Sequence, residues 1–147
     1  MIVSYDIDGV LAAGPPPSIK KWGRMNGQER SERKLFLVEW YKNASPLYLP
    51  PENKFYAFSA RKNEENVFIA TKEWLTKHFP ERILGIELLS DSRSVLNAAT
   101  FKSNMVKYYN VEKHYEDNKQ VLKIMKQLLP NVELYFWKEG MNEPVRY

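Results

Sequence analysis

Short apolar runs alternate with helical stripes along this chain, and that alternation restricts the folds open to it. The runs are Met1–Tyr5 (MIVSY), Lys54–Ser59 (KFYAFS), Ile83–Leu89, His114–Asp117 and Val132–Trp137 (VELYFW). Each is of strand length, and most are rich in β-branched or aromatic residues. Residues 26–43 read as a helix whose C-terminal half is apolar (Leu35, Leu37, Val38, Trp40, Tyr41). Asn63 is expected to cap a second helix, with Glu64 and Glu65 in its first turn, where the helix dipole favours acids. Val67, Ala70, Thr71, Trp74, Leu75 and His78 follow at helical spacing until Pro80. A third helix is expected over Thr100–Tyr109, and a fourth carries Val121, Leu122, Met125, Leu128 and Leu129 up to Pro130. Residues Ala12–Pro17 (AAGPPP) and Ser90–Ser94 read as loops, and the polar last ten residues are expected to fray. This order predicts a single α/β domain over residues 1–147. Its sheet would be five-stranded and mostly parallel, with helices on both faces and a small insertion, residues 12–53, after the first strand.

Composition removes several chemistries. The chain has no cysteine, hence no disulfide, no thiolate metal site and no cysteine nucleophile. His78 and His114 are its two histidines, so a three-histidine metal site is impossible. No run of about 18 apolar residues suggests a membrane span. The N-terminus reaches acidic residues at once and lacks a signal-peptide layout, so a cytoplasmic protein with no membrane partner is expected. Net charge is +4, and residues 20–34 account for all of it: Lys20, Lys21, Arg24, Arg30, Arg33 and Lys34 against Glu29 and Glu32. The stretch reads either as a solvated helix face or as a positive flap that attracts an anionic substrate. Trp22, Trp40, Trp74 and Trp137 read as core.

In parallel sheets, ligands bind beyond the carboxyl ends of the strands. The residues there are Asp6 and Asp8 after the first strand, Ser59 after the second, and Glu116 and Asp117 after the fourth. Four carboxylates gathered at one sheet edge repel each other and call for a cation. Oxygen ligands without histidine or cysteine suit a hard cation, foremost Mg²⁺, which keeps waters and substrate phosphate oxygens in its shell.

Asp6-Ile7-Asp8-Gly9-Val10-Leu11 after an apolar strand resembles the first motif of the haloacid dehalogenase-like superfamily. Phe55-Tyr56-Ala57-Phe58-Ser59 resembles the second, Lys102 in Thr100-Phe101-Lys102 the third, and His114-Tyr115-Glu116-Asp117-Asn118 the acidic fourth. The four stand in the family's order over residues 2–118. The resemblance implies a Rossmann-like fold and an aspartyl-phosphate mechanism. Asp6 would be the nucleophile, and Asp8 the general acid and then the general base. Mg²⁺ would sit on the Asp6 carboxylate, the Asp8 carbonyl and Asp117, with Glu116 a weaker participant or only a strand-end ion pair. Ser59 would donate to a phosphoryl oxygen, or simply cap the next turn. Lys102 would neutralise the transferring group, with Lys107 and Lys62 as rivals. Ala60 and Arg61 lie next to the expected phosphate. Arg61 reads either as a ligand for the substrate's anionic part or as a solvated side chain, and His114 as a packing residue. The second aspartate distinguishes phosphatase-like members from dehalogenases, so phosphomonoester hydrolysis is expected.

An insertion of this size would leave the site open, which by family analogy suits large substrates such as nucleic-acid ends. Tyr115-Glu116-Asp117 is also similar to the fourth motif of polynucleotide 3′-phosphatase domains, although no kinase P-loop is present. The phosphorylated substrate is therefore expected to be a nucleotide or a nucleic-acid terminus. The alternatives are a small-metabolite or phosphoprotein phosphatase, and a non-catalytic nucleic-acid-binding module of the same fold.

Overall fold

The computed structural model describes residues 1–16 and 26–147. Strand β1 spans Val3–Asp6, helix α1 Gly27–Asn43, β2 Phe55–Lys62, α2 Glu65–His78 and β3 Ile83–Leu89. Helix α3 spans Val95–Tyr108, β4 Lys113–Glu116, α4 Lys119–Leu128, β5 Glu133–Phe136 and β6 Val145–Arg146. The sheet order is β3-β2-β1-β4-β5-β6. The first five strands are parallel and β6 is antiparallel to β5. Among the described residues, no helix is long and apolar enough to cross a membrane.

Side-chain alternation along the strands divides the core into two layers. Val3 and Tyr5 of β1 and Phe55 and Ala57 of β2 pack with Trp74, Leu75 and Phe79 of the α2 region. Phe58 and Leu134 pack on the other face with Ala98, Ala99 and Val106 of α3 and Val121, Leu122 and Met125 of α4. In the first layer Tyr5, Tyr115 and Tyr135 occupy matched positions on β1, β4 and β5 and stack at 4.5 and 5.0 Å between centroids. The Tyr5 hydroxyl donates to both oxygens of Glu52 at 2.8 Å, which fixes the polar end of this aromatic row.

The segment between β1 and β2 is tied closely to the body. The Ala13 amide donates to Ser45, Leu47 to Leu11 and Tyr48 to Val10, all at 2.9 Å. Helix α1 lies along α2, where Tyr41 packs with Val67, Ala70 and Leu88. The Trp40 indole donates to the Ala13 carbonyl at 2.9 Å and Trp74 to Ala44 at 2.8 Å. Trp74 and Trp137 are buried in the core as expected, and Trp40 packs against it. Lys20, Lys21, Trp22 and Arg24 lie outside the described residues. Arg30, Arg33 and Lys34 are carried by α1, with Lys34 paired to Glu64 at 2.9 Å.

Five local expectations are corrected. Asn63 does not cap α2: its amide donates to the Leu89 carbonyl and its side chain to Ser90, so Glu64 occupies the cap position. Strand β2 continues past Ser59 to Lys62, with a register shift against β3 between Ser59 and Lys62. Helix α3 starts at Val95, five residues earlier than its apolar stripe indicates, because Ser94 caps it by accepting from the Asn97 amide. The sheet has six strands, and the chain end is bound rather than frayed. The Tyr147 amide donates to Leu134 at 2.9 Å, and Arg146 pairs with Glu133 at 3.0 Å. A two-residue strand owes its order to the neighbour it pairs with, which local polarity does not register. Removing residues 144–147 should cost about 1–2 kcal/mol, or roughly 2–8 °C in Tm. Thermal unfolding followed by circular dichroism checks this, and an unchanged Tm would mean the pairing contributes nothing.

Candidate active site

The site forms where the chain reverses its course across the sheet. From β1 the connections run to β2 and β3 on one side, and α3 then carries the chain to β4 on the other. The loops after β1 and β4 therefore part and leave a crevice at their carboxyl ends. A cavity of about 240 Å³ occupies it, lined by Asp6, Asp8, Ser59, Ala60, Lys102 and Asp117, with Glu116 and Arg93 also on its wall.

Asp6 ends β1 and is 5% exposed. Its Oδ1 accepts from the Ile7 amide at 2.9 Å and pairs with Lys102 Nζ at 3.0 Å. Among the described residues no donor reaches Oδ2. Lys102 projects from the buried side of α3 and also reaches Glu116 at 2.5 Å, so it bridges β1 and β4. Lys107 is exposed and Lys62 pairs with Glu64, so neither rival takes this place. Glu116 is 1% exposed, and its other oxygen accepts from the Asn118 amide. His114 lies behind it, with Nδ1 2.8 Å from the Ser4 hydroxyl and Nε2 3.6 Å from Glu116.

Asp6, Glu116 and Asp117 each bring one oxygen within 4.8 Å of the others. Burial and the Glu116 charge raise the Asp6 carboxyl well above its ordinary range against the pull of Lys102. Burial and Glu116 likewise push Asp117 up to about 6. Burial opposes ionisation of Glu116 too, but Lys102 and His114 outweigh it and hold that carboxyl low. Burial would discharge Lys102, and its two carboxylate partners more than offset this. One lysine thus faces three carboxylates, and the unbalanced charge falls on Asp6 and Asp117. An oxygen-only donor set short of positive charge fits Mg²⁺.

Asp8 is placed differently. Its carboxylate turns away from that cluster and accepts two hydrogen bonds from Arg61, from Nε at 3.0 Å and from Nη2 at 2.8 Å. Arg61 is 2% exposed, donates to Thr71 Oγ1 at 2.9 Å and stacks on Tyr41 at 3.8 Å. The solvated reading of Arg61 is thereby excluded, since its guanidinium is enclosed by β2, α1 and α2. Ser59 is 1% exposed, and its Oγ accepts from the Arg61 amide at 3.1 Å, which leaves its own proton to donate.

Two features escaped the sequence reading. Arg93 stands in the loop after β3, which reads in the sequence only as a polar loop. The strand-end rule that selects Asp6 and Ser59 would have included it. In the sequence, Gly9 reads as part of the first motif or as the glycine of an Asp-Gly turn. It has φ +88°, and a Cβ there would run into the Asp117 carboxylate. Only glycine combines that backbone with that closeness.

No family model matches the chain, and no curated protein matches its sequence.

Added Mg²⁺ should raise Tm, and Gly9→Ala, which displaces Asp117, should abolish that rise. A full Mg²⁺ response in that variant would show that Asp117 is not needed. The response should also depend on pH. Asp117 rises from an ordinary value of 3.8 to about 6 on folding, so its ionisation costs stability as pH climbs through that window. Mg²⁺ requires the ionised form, and its stabilising effect should be larger at pH 7.5 than at pH 5.0. Equal Tm shifts at the two pH values would contradict this.

Proposed function

We propose that this protein is a Mg²⁺-dependent phosphomonoesterase of the haloacid dehalogenase-like superfamily, built on a Rossmann-like fold and acting through an aspartyl-phosphate. The observation that carries the reading is the meeting of Asp6, Ser59, Lys102, Glu116 and Asp117, drawn from four elements, around one cavity. It unites the four sequence motifs in space.

Asp6 Oδ2 attacks phosphorus in line with the ester oxygen. The P–O ester bond breaks, a carboxyl–phosphate bond forms, and the leaving alcohol takes its proton from Asp8. Water then attacks the phosphorus of the aspartyl-phosphate and gives a proton to Asp8, which releases inorganic phosphate and restores Asp6. Lys102 pulls against the rise in the Asp6 carboxyl and lies beside the incoming charge. Ser59 Oγ–H donates to a phosphoryl oxygen. Arg61 is a positioning residue, because two hydrogen bonds lock the Asp8 rotamer while each oxygen keeps a second lone pair for a proton. Asp6, Asp117 and the Asp8 carbonyl would hold Mg²⁺, with Glu116 acting mainly through Lys102; the ion supplies charge neutralisation at the phosphoryl oxygens.

The expected outcome is that Asp6→Asn lowers kcat/KM on p-nitrophenyl phosphate by at least about a thousandfold with an unchanged circular dichroism spectrum. Excess EDTA should abolish turnover in the unaltered protein, and added Mg²⁺ should restore it. Turnover that survives either treatment would refute the reading.

A further inference from the structure

Beneath the cavity lie two polar side chains that the mechanism above does not use. Ser4 and His114 are paired positions on β1 and β4, two residues before Asp6 and Glu116 respectively. Strand alternation puts all four side chains on the α3 side of the sheet. That layer is otherwise apolar, built from Phe58, Ala98, Ala99 and Val106. Ser4 and His114 are both fully buried there. A hydroxyl and an imidazole give up their hydration on such burial, and an apolar pair would fill the same space at lower cost.

The contacts join this pair to Asp6. Ser4 Oγ lies 2.8 Å from His114 Nδ1, and His114 Nε2 lies 3.6 Å from Glu116 Oε1. The same Oε1 takes Lys102 Nζ at 2.5 Å, and Lys102 Nζ stands 3.0 Å from Asp6 Oδ1. Five buried side chains from β1, β4 and α3 thus form one chain that ends on Asp6.

The proton positions follow from what each atom can accept. Among the described residues, His114 Nδ1 is the acceptor within reach of the Ser4 hydroxyl, so that hydroxyl donates to it. A proton on Nδ1 would leave the buried Ser4 hydroxyl without an acceptor. The imidazole proton is therefore on Nε2, which has no other hydrogen-bond partner and faces Glu116. Glu116 and Asp6 engage the Lys102 ammonium, which has three N–H donors, so one remains for a phosphoryl oxygen as long as Glu116 keeps its place.

We propose that Ser4 and His114 are positioning residues for Asp6. The Ser4 hydroxyl holds the imidazole with its proton on Nε2, and that N–H keeps Glu116 turned to Lys102. The ammonium then stays between β1 and β4 and holds Asp6 by Oδ1, which leaves Oδ2 for attack. This rests on the phosphomonoesterase reading of the cavity. Neither residue touches substrate, so their loss slows the chemical step and leaves substrate binding as it was.

The position of the proton is read from long-range proton–nitrogen correlation NMR spectra of the full chain labelled at histidine, with the His78 signals identified by their loss in His78→Gln. A neutral His114 ring with its proton on Nε2 is expected. A proton on Nδ1, or a charged ring, overturns the proposal. The role is read from kcat and KM for p-nitrophenyl phosphate in saturating Mg²⁺. In His114→Gln an amide nitrogen comes to about the place of Nε2, and in His114→Asn to about that of Nδ1, so the two variants differ in which ring nitrogen they replace. His114→Asn and Ser4→Ala should each lower kcat by about tenfold or more with KM unchanged, the scale of losing a group that orients a reacting ligand, whereas His114→Gln should retain most of kcat. Equal losses in the Gln and Asn variants, or losses carried by KM, overturn the proposal. Should a His114 variant fail to fold, Ser4→Ala decides, and an unchanged kcat there overturns it. An unaltered protein that hydrolyses nothing refutes the phosphomonoesterase reading instead; the proton position, measured without substrate, still supports or overturns the arrangement of Ser4, His114 and Glu116.

Discussion

Lys102 is the charge on which the centre of this molecule depends. Two carboxylates, Asp6 and Glu116, end adjacent strands and are almost wholly removed from water. Parallel pairing sets β1 and β4 in register, so the sheet itself forces them together. The ammonium of Lys102, delivered from α3, stands between them at 3.0 and 2.5 Å. Breaking such a buried pair by removing one partner costs on the order of 3–5 kcal/mol, because the remaining charges are left without compensation. The same lysine sets the charge balance of the cluster. It holds one oxygen of Asp6 and leaves the other without a donor, and it still falls short of balancing Asp117.

A second buried ion pair organises the opposite wall. Arg61 reaches from β2 to Asp8, with Thr71 of α2 and the ring of Tyr41 of α1 around its guanidinium. The helical layer on that face thus takes part in the site, although none of its residues carries chemistry. The cavity has two differently charged sides as a result. On one, Lys102 pairs with Asp6 and Glu116 beside Asp117; on the other, Arg61 pairs with Asp8.

The legible part of the site was the part written in consecutive residues. Asp6 and Asp8 are recognisable because an apolar strand runs straight into them, and Glu116-Asp117 for the same reason. Lys102 was legible through motif order, while its rival Lys107 could be set aside only once α3 showed which of its faces is buried, and Lys62 once its pairing with Glu64 was seen. Arg61 was placed near the expected phosphate, yet its enclosure by Thr71 and Tyr41 depends on two helices that a linear reading cannot bring to it. The sixth strand was missed because Val145 and Arg146 have little strand character of their own and take it from Phe136 and Tyr135.

By itself, the amino-acid sequence determined the order of the first five strands and the helices, the parallel character of those strands and the identity of the acidic residues at their carboxyl edge. These follow from side-chain periodicity and from short-range sterics, which act between neighbours in the chain. Only the tertiary structure decided which charges meet: Lys102 with Asp6 and Glu116, Arg61 with Asp8, and Arg93 with the open cavity. Pairing at 3 Å between residues tens of positions apart depends on how strands register and how helices rotate about their axes. Those are set by the packing of Phe58, Trp74, Ala99 and their neighbours in the two core layers, and no local pattern encodes the outcome.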